Sequence, residues 1–358
     1  MMNIEVKVDL WTYLKSADKP ILMYGMGNGA DKILNVCEKY GIEVSDFFAS
    51  DGFVRGHSFH GKTVISYSDA KAKYGSFIVL LSFASSLPDV IENIKRIDSE
   101  QELYAPDVPV FGSNLFNTEF FEEHRDEFEE AYSLLADERS RFVYENVINY
   151  KLSGKISYLF ACDDDEDEVT ETLVCPQEVR SYADLGAYNG DTVRALMART
   201  DTLQSVIALE PDRRNFKKLS EWAENVSKPL ITCKKLGAWS HRDTLFFDAS
   251  GNRNANLTDA CGKKVTEVEV DSLDSLCADI IPDYVKYDVE GSEREALMGS
   301  KELIKAHAPK LLVSVYHRSE DLFALPALVK KLNPDYKLYL RKLRYIPAWD
   351  LNLYALKG

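Results

Sequence analysis

The stretch Ala183-Asp184-Leu185-Gly186-Ala187-Tyr188-Asn189-Gly190-Asp191-Thr192 decides the fold. Strand-forming residues run into Gly186, a short loop follows, and a helix starts near Asp191 or Thr192. Glycine allows close approach of a ligand because no β-carbon intervenes. The helix N-terminus offers free amide hydrogens. In a dinucleotide enzyme those amides would hold a pyrophosphate. Here the carboxylates of Asp184 and Asp191 flank the loop, and they repel a phosphate and suit a cationic ligand. S-adenosylmethionine, which carries a sulfonium and an ammonium, fits that pattern.

Working outward, strands are readable at 181–185, 205–209, 230–234, 284–287 and 310–316, with helical spacing between them. Such alternation predicts a parallel sheet. The final segment, YKLYLRKLRYIPAWDLNLYAL, reads as two strands joined by a turn, an antiparallel hairpin. The second strand ends in Ala208-Leu-Glu-Pro-Asp212. A carboxylate at Glu210, with Pro211 and Asp212 beside it, is placed to accept hydrogen bonds from a ribose. The third strand leads to Leu236-Gly237-Ala238-Trp239, where backbone and an aromatic ring are candidates to bracket adenine.

The reacting end is expected where the fourth and fifth strands stop. Asp288-Val-Glu290-Gly follows the fourth, and His317 ends the fifth at the same edge of the sheet. Asp288 and Glu290 would point to opposite sides if still extended. One would touch the cofactor's amino group or the acceptor, the other would cap the next helix. Histidine, with an ordinary pKa near 6.5, suits removal of a hydroxyl proton. An Asp288–Glu290–His317 magnesium site is the weaker alternative, because no local ligand spacing supports it; no metal is expected.

Taken together, ADLGAYNGDT (183–192), ALEPD (208–212), LGAWS (236–240), VEVDSLDSL (268–276), DYVKYDVEGSEREALMGS (283–300) and LLVSVYH (311–317) resemble the FkbM-type methyltransferases, over about residues 137–358. The resemblance implies a class I methyltransferase, Rossmann-like α/β sheet. It also implies adenosylmethionine-dependent O-methylation of a sugar or small-molecule hydroxyl. The acceptor itself stays open.

The N-terminal part contains its own glycine turn, Tyr24-Gly-Met-Gly-Asn-Gly29, after an apolar strand and before a helix over 30–40. Asp51 follows the next strand at a ribose-like spacing. The turn is GxGxG without the usual third spacing, so a packing or acceptor-positioning role is favoured over nucleotide binding. We expect a small Rossmann-like accessory domain at 1–113, a helical connector of two helices at 114–155, and the methyltransferase domain at 156–358. The acidic run Asp163 to Glu168 lacks the glycine and spacing of a calcium loop and is expected to be a solvated loop.

Composition bounds the rest. The 358 residues carry 43 basic and 58 acidic groups, a net charge of −15, with 45% hydrophobic and 28% charged side chains. That is a globular balance, and the negative excess argues against nucleic acid as a partner. The six cysteines form no CxxC pair and are expected to be reduced core residues. No signal peptide or membrane span is read, so a cytoplasmic protein with no membrane partner is expected. Homo-oligomer formation stays open. The competing readings are a two-domain NAD-type oxidoreductase using Gly25–Gly29, and a non-catalytic adenosylmethionine-binding protein.

Overall fold

The computed structural model describes residues 2–54, 56–247, 266–277 and 280–358. Two parallel-rich sheets dominate. The first contains β1 (Ile21–Tyr24), β2 (Asp46–Ala49), β3 (Ile65–Ser66), β4 (Ile78–Leu81) and β5 (Glu102–Tyr104), in the order β3-β2-β1-β4-β5 with all neighbours parallel. Strands β1, β2 and β4 are buried at every residue. That is why they read as continuous apolar runs: helices cover both faces of a parallel sheet. Helix α1 (Asn28–Tyr40) starts two residues before the sequence suggests and ends at Gly41, whose φ of 69° gives the left-handed cap.

The connector contains three helices where two were expected: Thr118–Glu123, Arg125–Leu134 and α2 (Glu138–Ser153). The break at His124 has no proline or glycine behind it, so composition gave no stop signal. Asp137 caps α2 by accepting a hydrogen bond from the Ser140 amide at 2.7 Å.

The second sheet is built from β6 (Ser181–Leu185), β7 (Ser205–Leu209), β8 (Leu230–Lys234), β9 (Tyr284–Tyr287), β10 (Lys310–Ser314), β11 (Tyr336–Lys342) and β12 (Leu351–Lys357). Its order is β8-β7-β6-β9-β10-β12-β11. The first five run parallel; β12 pairs antiparallel with both β10 and β11. This is a Rossmann-like sheet closed by an antiparallel hairpin. The chain reverses its winding at β6 and β9, the position at which open α/β sheets form a ligand crevice. A smaller sheet of Gly237–Ala238, Thr266–Asp271 and Asp243–Phe247 sits beside it.

One hydrophobic core joins the two sheets. Leu22 and Val79 of the first sheet, Phe116, Phe128 and Tyr144 of the connector, and Val313 and Leu353 of the second sheet belong to the same buried cluster. The acidic run is partly pulled into this joint, a correction to the solvated-loop expectation. Asp163 pairs with the fully buried Lys342, and Asp164 accepts from Arg139 at 2.8 Å and from the Lys342 amide at 2.9 Å. Only residues 165–168 stay exposed. Cys37, Cys162, Cys175, Cys233 and Cys277 are free, and three of these are buried; Cys261 lies outside the described residues. Among the described residues, no helix is long and apolar enough to cross a membrane.

Candidate active site

The loop after β6 is held from three sides. The Gly186 and Ala187 amides donate to the Leu209 carbonyl at 3.0 and 2.9 Å. Gly186 has φ 89°, and a β-carbon there would stand 1.9 Å from the Asp288 carbonyl oxygen. Gly190 has φ 87° and packs on the Trp222 ring. Between them Tyr188, at φ 48°, leaves its side chain outside, and Asn189 is fixed by Arg194 at 3.2 Å. Asp191 opens α3 (Asp191–Arg199), and its carboxylate accepts from the Thr192 amide.

Glu210 is 7% exposed, and its two oxygens accept from the Tyr188 and Asp212 amides, each at 2.8 Å. Burial raises its pKa, against the pull of those two amides. The carboxylate thus ties the first loop to the second strand end. Asp212 caps α4 (Arg213–Ala223) through the Arg214 and Asn215 amides.

Two expected contacts are corrected. Asp184 is fully buried and accepts a hydrogen bond from the Thr192 hydroxyl, with Lys286 Nζ 3.8 Å from its other oxygen. It braces the start of α3 from beneath and does not face a ligand. Burial raises its pKa, with Lys286 opposing. Trp239 is 6% exposed and Ala238 5%. Gly237 and Ala238 pair with Val270 and Asp271 in the small sheet, and the Trp239 amide donates to the Asp271 carbonyl at 2.9 Å.

Asp288, Glu290 and His317 do meet. Glu290 has φ 53°, so the chain has left the extended conformation, and both acids turn toward one imidazole edge. His317 Nε2 lies 3.7 Å from Asp288 Oδ1 and 3.6 Å from Glu290 Oε2. Its Nδ1 lies 2.9 Å from Glu293 Oε1. Burial disfavours its charge, but Glu293, Asp288 and Glu290 together raise its pKa to about 9. An imidazole that already holds its proton at neutral pH cannot accept another, so the expected role of His317 as resting base is withdrawn. Glu290 is the open member of the group, its side chain 72% exposed.

Sequence reasoning missed the supporting residues. Lys286, from the buried strand β9, donates to Asp288 at 3.1 Å. Burial lowers its pKa, but Asp288 and Asp184 outweigh that. Tyr316 donates to the other Asp288 oxygen at 3.0 Å. Glu293 opens α5 (Glu293–Met298) and accepts from the Val289 and Gly291 amides at 2.9 and 3.3 Å. A lysine inside a buried strand was the readable signal for the first of these; nothing marked the others. The N-terminal part also reaches this loop: the Phe111 amide donates to the His317 carbonyl at 3.1 Å, and the Phe111 ring packs on Gly291.

The N-terminal glycine turn is filled from within. A β-carbon at Gly25 would meet Phe83 and Ser82 within 2.8 Å, and one at Gly29 would meet the Ser82 carbonyl at 2.1 Å. Asp51 accepts from the Ser68 amide and hydroxyl. Gly25 and Gly29 serve packing of α1 on the end of β4, whereas a β-carbon at Gly27 would meet nothing within 4 Å.

Residues 184–347 match the family model of the methyltransferase FkbM domain. Among solved structures, methyltransferase FkbM from Methylobacillus flagellatus KT aligns over 94% of this chain and 90% of its own, at 21% identity and a TM-score of 0.69. Precorrin-6y C5,15-methyltransferase from Geobacter metallireducens GS-15 aligns over 55% and 90%, at 10% identity and a TM-score of 0.34. Aeropyrum pernix fibrillarin with natively bound S-adenosyl-L-methionine aligns over 51% and 68%, at 11% identity and 0.33. The first of these shares the fold across both parts of the chain; the latter two likenesses decide nothing. No curated protein matches.

Proposed function

Because residues 184–347 match the family model of the methyltransferase FkbM domain, we propose that the chain transfers the methyl group of S-adenosylmethionine to a hydroxyl of a sugar or small-molecule metabolite. The observation that carries this reading is the contact of Gly186 with the Asp288 carbonyl. It fixes the cofactor loop and the acidic end of β9 as one unit, so that a methyl donor on the first lies beside a proton acceptor on the second.

In this reading Gly186, Tyr188, Asn189, Gly190, Asp191 and Thr192 surround the methionine end, and Glu210 with Pro211 and Asp212 meets the ribose. The acceptor oxygen attacks the methyl carbon in line. A carbon–oxygen bond forms, the carbon–sulfur bond breaks, and the sulfonium becomes a neutral thioether. Most of the acceleration comes from holding the two reactants in near-attack geometry. Glu290, on the open side of the cluster, takes the hydroxyl proton. Asp288, held by Lys286 and Tyr316, positions the acceptor, and His317 orients both acids. A base so placed contributes ~10²–10⁴-fold.

Transfer of an isotope-labelled methyl group tests the reading. The chain is incubated with labelled adenosylmethionine and a panel of glycosides and hydroxylated small molecules. A labelled, alkali-stable methyl ether is expected. Label recovered only as an ester or on an amine would overturn the hydroxyl assignment.

A further inference from the structure

The mechanism above leaves part of the acidic cluster unused. Asp288, Glu293 and His317 each offer one ligand atom, and these atoms all lie within 4.8 Å of one another. Atoms that ligate a single ion at bond lengths near 2.1 Å stand roughly 3–4 Å apart, so only a slight contraction is needed.

Two further facts set this group apart from an ordinary ion pair. Glu293 is 1% exposed and His317 2%. His317 Nδ1 stands 2.9 Å from Glu293 Oε1, but Glu293 Oε2 has no hydrogen-bond partner. An enclosed polar atom left unmatched costs about 1–3 kcal/mol. The group is also rich in acids: Asp288, Glu290 and Glu293 all face the one His317 ring, and Lys286 reaches the group at Asp288. Arg318 lies nearby but spends its Nε on the Gly291 carbonyl.

We propose that Asp288, Glu293 and His317 form a binding site for a first-row divalent cation. One imidazole nitrogen with two carboxylate oxygens suits Mn²⁺ or Zn²⁺ better than Ca²⁺. Glu290 stands at the rim, beside the position left open for an exchangeable oxygen. An ion there polarises a bound hydroxyl and eases loss of its proton. The inference rests on the ligand geometry and not on methyl transfer, so its test needs neither cofactor nor acceptor.

The full-length chain, stripped with chelator and dialysed, is titrated calorimetrically with MnCl₂ and, separately, with ZnCl₂. Saturable binding of one ion per chain is expected for at least one of the two. Glu293→Gln and His317→Gln should each weaken it about 10–100-fold. Circular dichroism checks that each variant is folded, and Asp288→Asn serves if either is not. Absence of saturable binding to the unaltered chain would overturn the proposal, as would wild-type affinity in the folded variants. Adenosylhomocysteine is titrated in a separate cell and reports on the cofactor reading by itself, so the two failures are distinguishable.

Discussion

A β-carbon at Gly186 would stand 1.9 Å from a backbone oxygen at a φ of 89°, and no rotamer change relieves a clash with backbone. Gly186→Ala should therefore displace the loop or the β9 end, costing about 2–4 kcal/mol in unfolding free energy and weakening adenosylhomocysteine binding at least tenfold. Chemical denaturation and calorimetry read the two effects. Unchanged values for both would mean that the loop and Asp288 are not held as one unit. At this scale the sequence was legible where a residue type serves a backbone need. Gly186 and Gly190 take positive φ in the turn after β6, and Glu210 holds that turn through the Tyr188 amide. The burial of Asp184 and Trp239 was not legible, because a motif gives position along the chain and not the direction of a side chain. Asp184 is the last but one residue of β6, and it turns beneath the loop to meet Thr192 and Lys286. His317 was found at the right strand end, but its protonation depends on Glu293, a contact the sequence does not announce.

Elements were read better than their ends. The strands at 181–185, 205–209, 230–234 and 284–287 fall as apolar periodicity places them, and all but the edge strand at 230–234 are buried over most of their length. The three-helix connector and the start of α1 at Asn28 were less legible, since the break at His124 carries no breaking residue and Gly29 lies inside α1 instead of before it. The acidic run shows what charge counting leaves out. Its first residue is tied to Lys342, a lysine with no exposed surface at the end of β11. Lys342→Ala leaves Asp163 with only the more distant Arg344, 3.9 Å away, in a largely dry setting and should destabilise the protein by about 3 kcal/mol. Glu166→Ala, on the exposed part of the same run, should change stability by less than about 0.5 kcal/mol. Equal losses in urea melts would show that the run acts as one solvated block after all.

At the scale of the whole molecule, the two sheets are not independent beads. The Ser85 and Ile346 backbones exchange hydrogen bonds at 2.9 and 3.0 Å, joining the chain after β4 to the hairpin between β11 and β12. Phe111 bears on Gly291 and His317 at the catalytic edge. Phe111→Ala should therefore lower kcat several-fold through looser placement of the 288–293 loop, while adenosylhomocysteine affinity, which the proposed reading assigns to the 186–192 loop and Glu210, changes by less than about threefold. Loss of cofactor affinity with kcat intact would reverse that assignment. The sequence indicated two nucleotide-fold units but not how they face one another, since Phe111 and Ile346 carry no motif. The central claim is that the crevice at 184–212 receives adenosylmethionine and not a dinucleotide. Calorimetric titration of the intact chain with adenosylhomocysteine and with NAD tests it most directly. The account predicts saturable binding of adenosylhomocysteine, weakened by about 1–3 kcal/mol in Glu210→Ala through lost ribose hydrogen bonds, and no binding of NAD. Binding of NAD without binding of adenosylhomocysteine would contradict it.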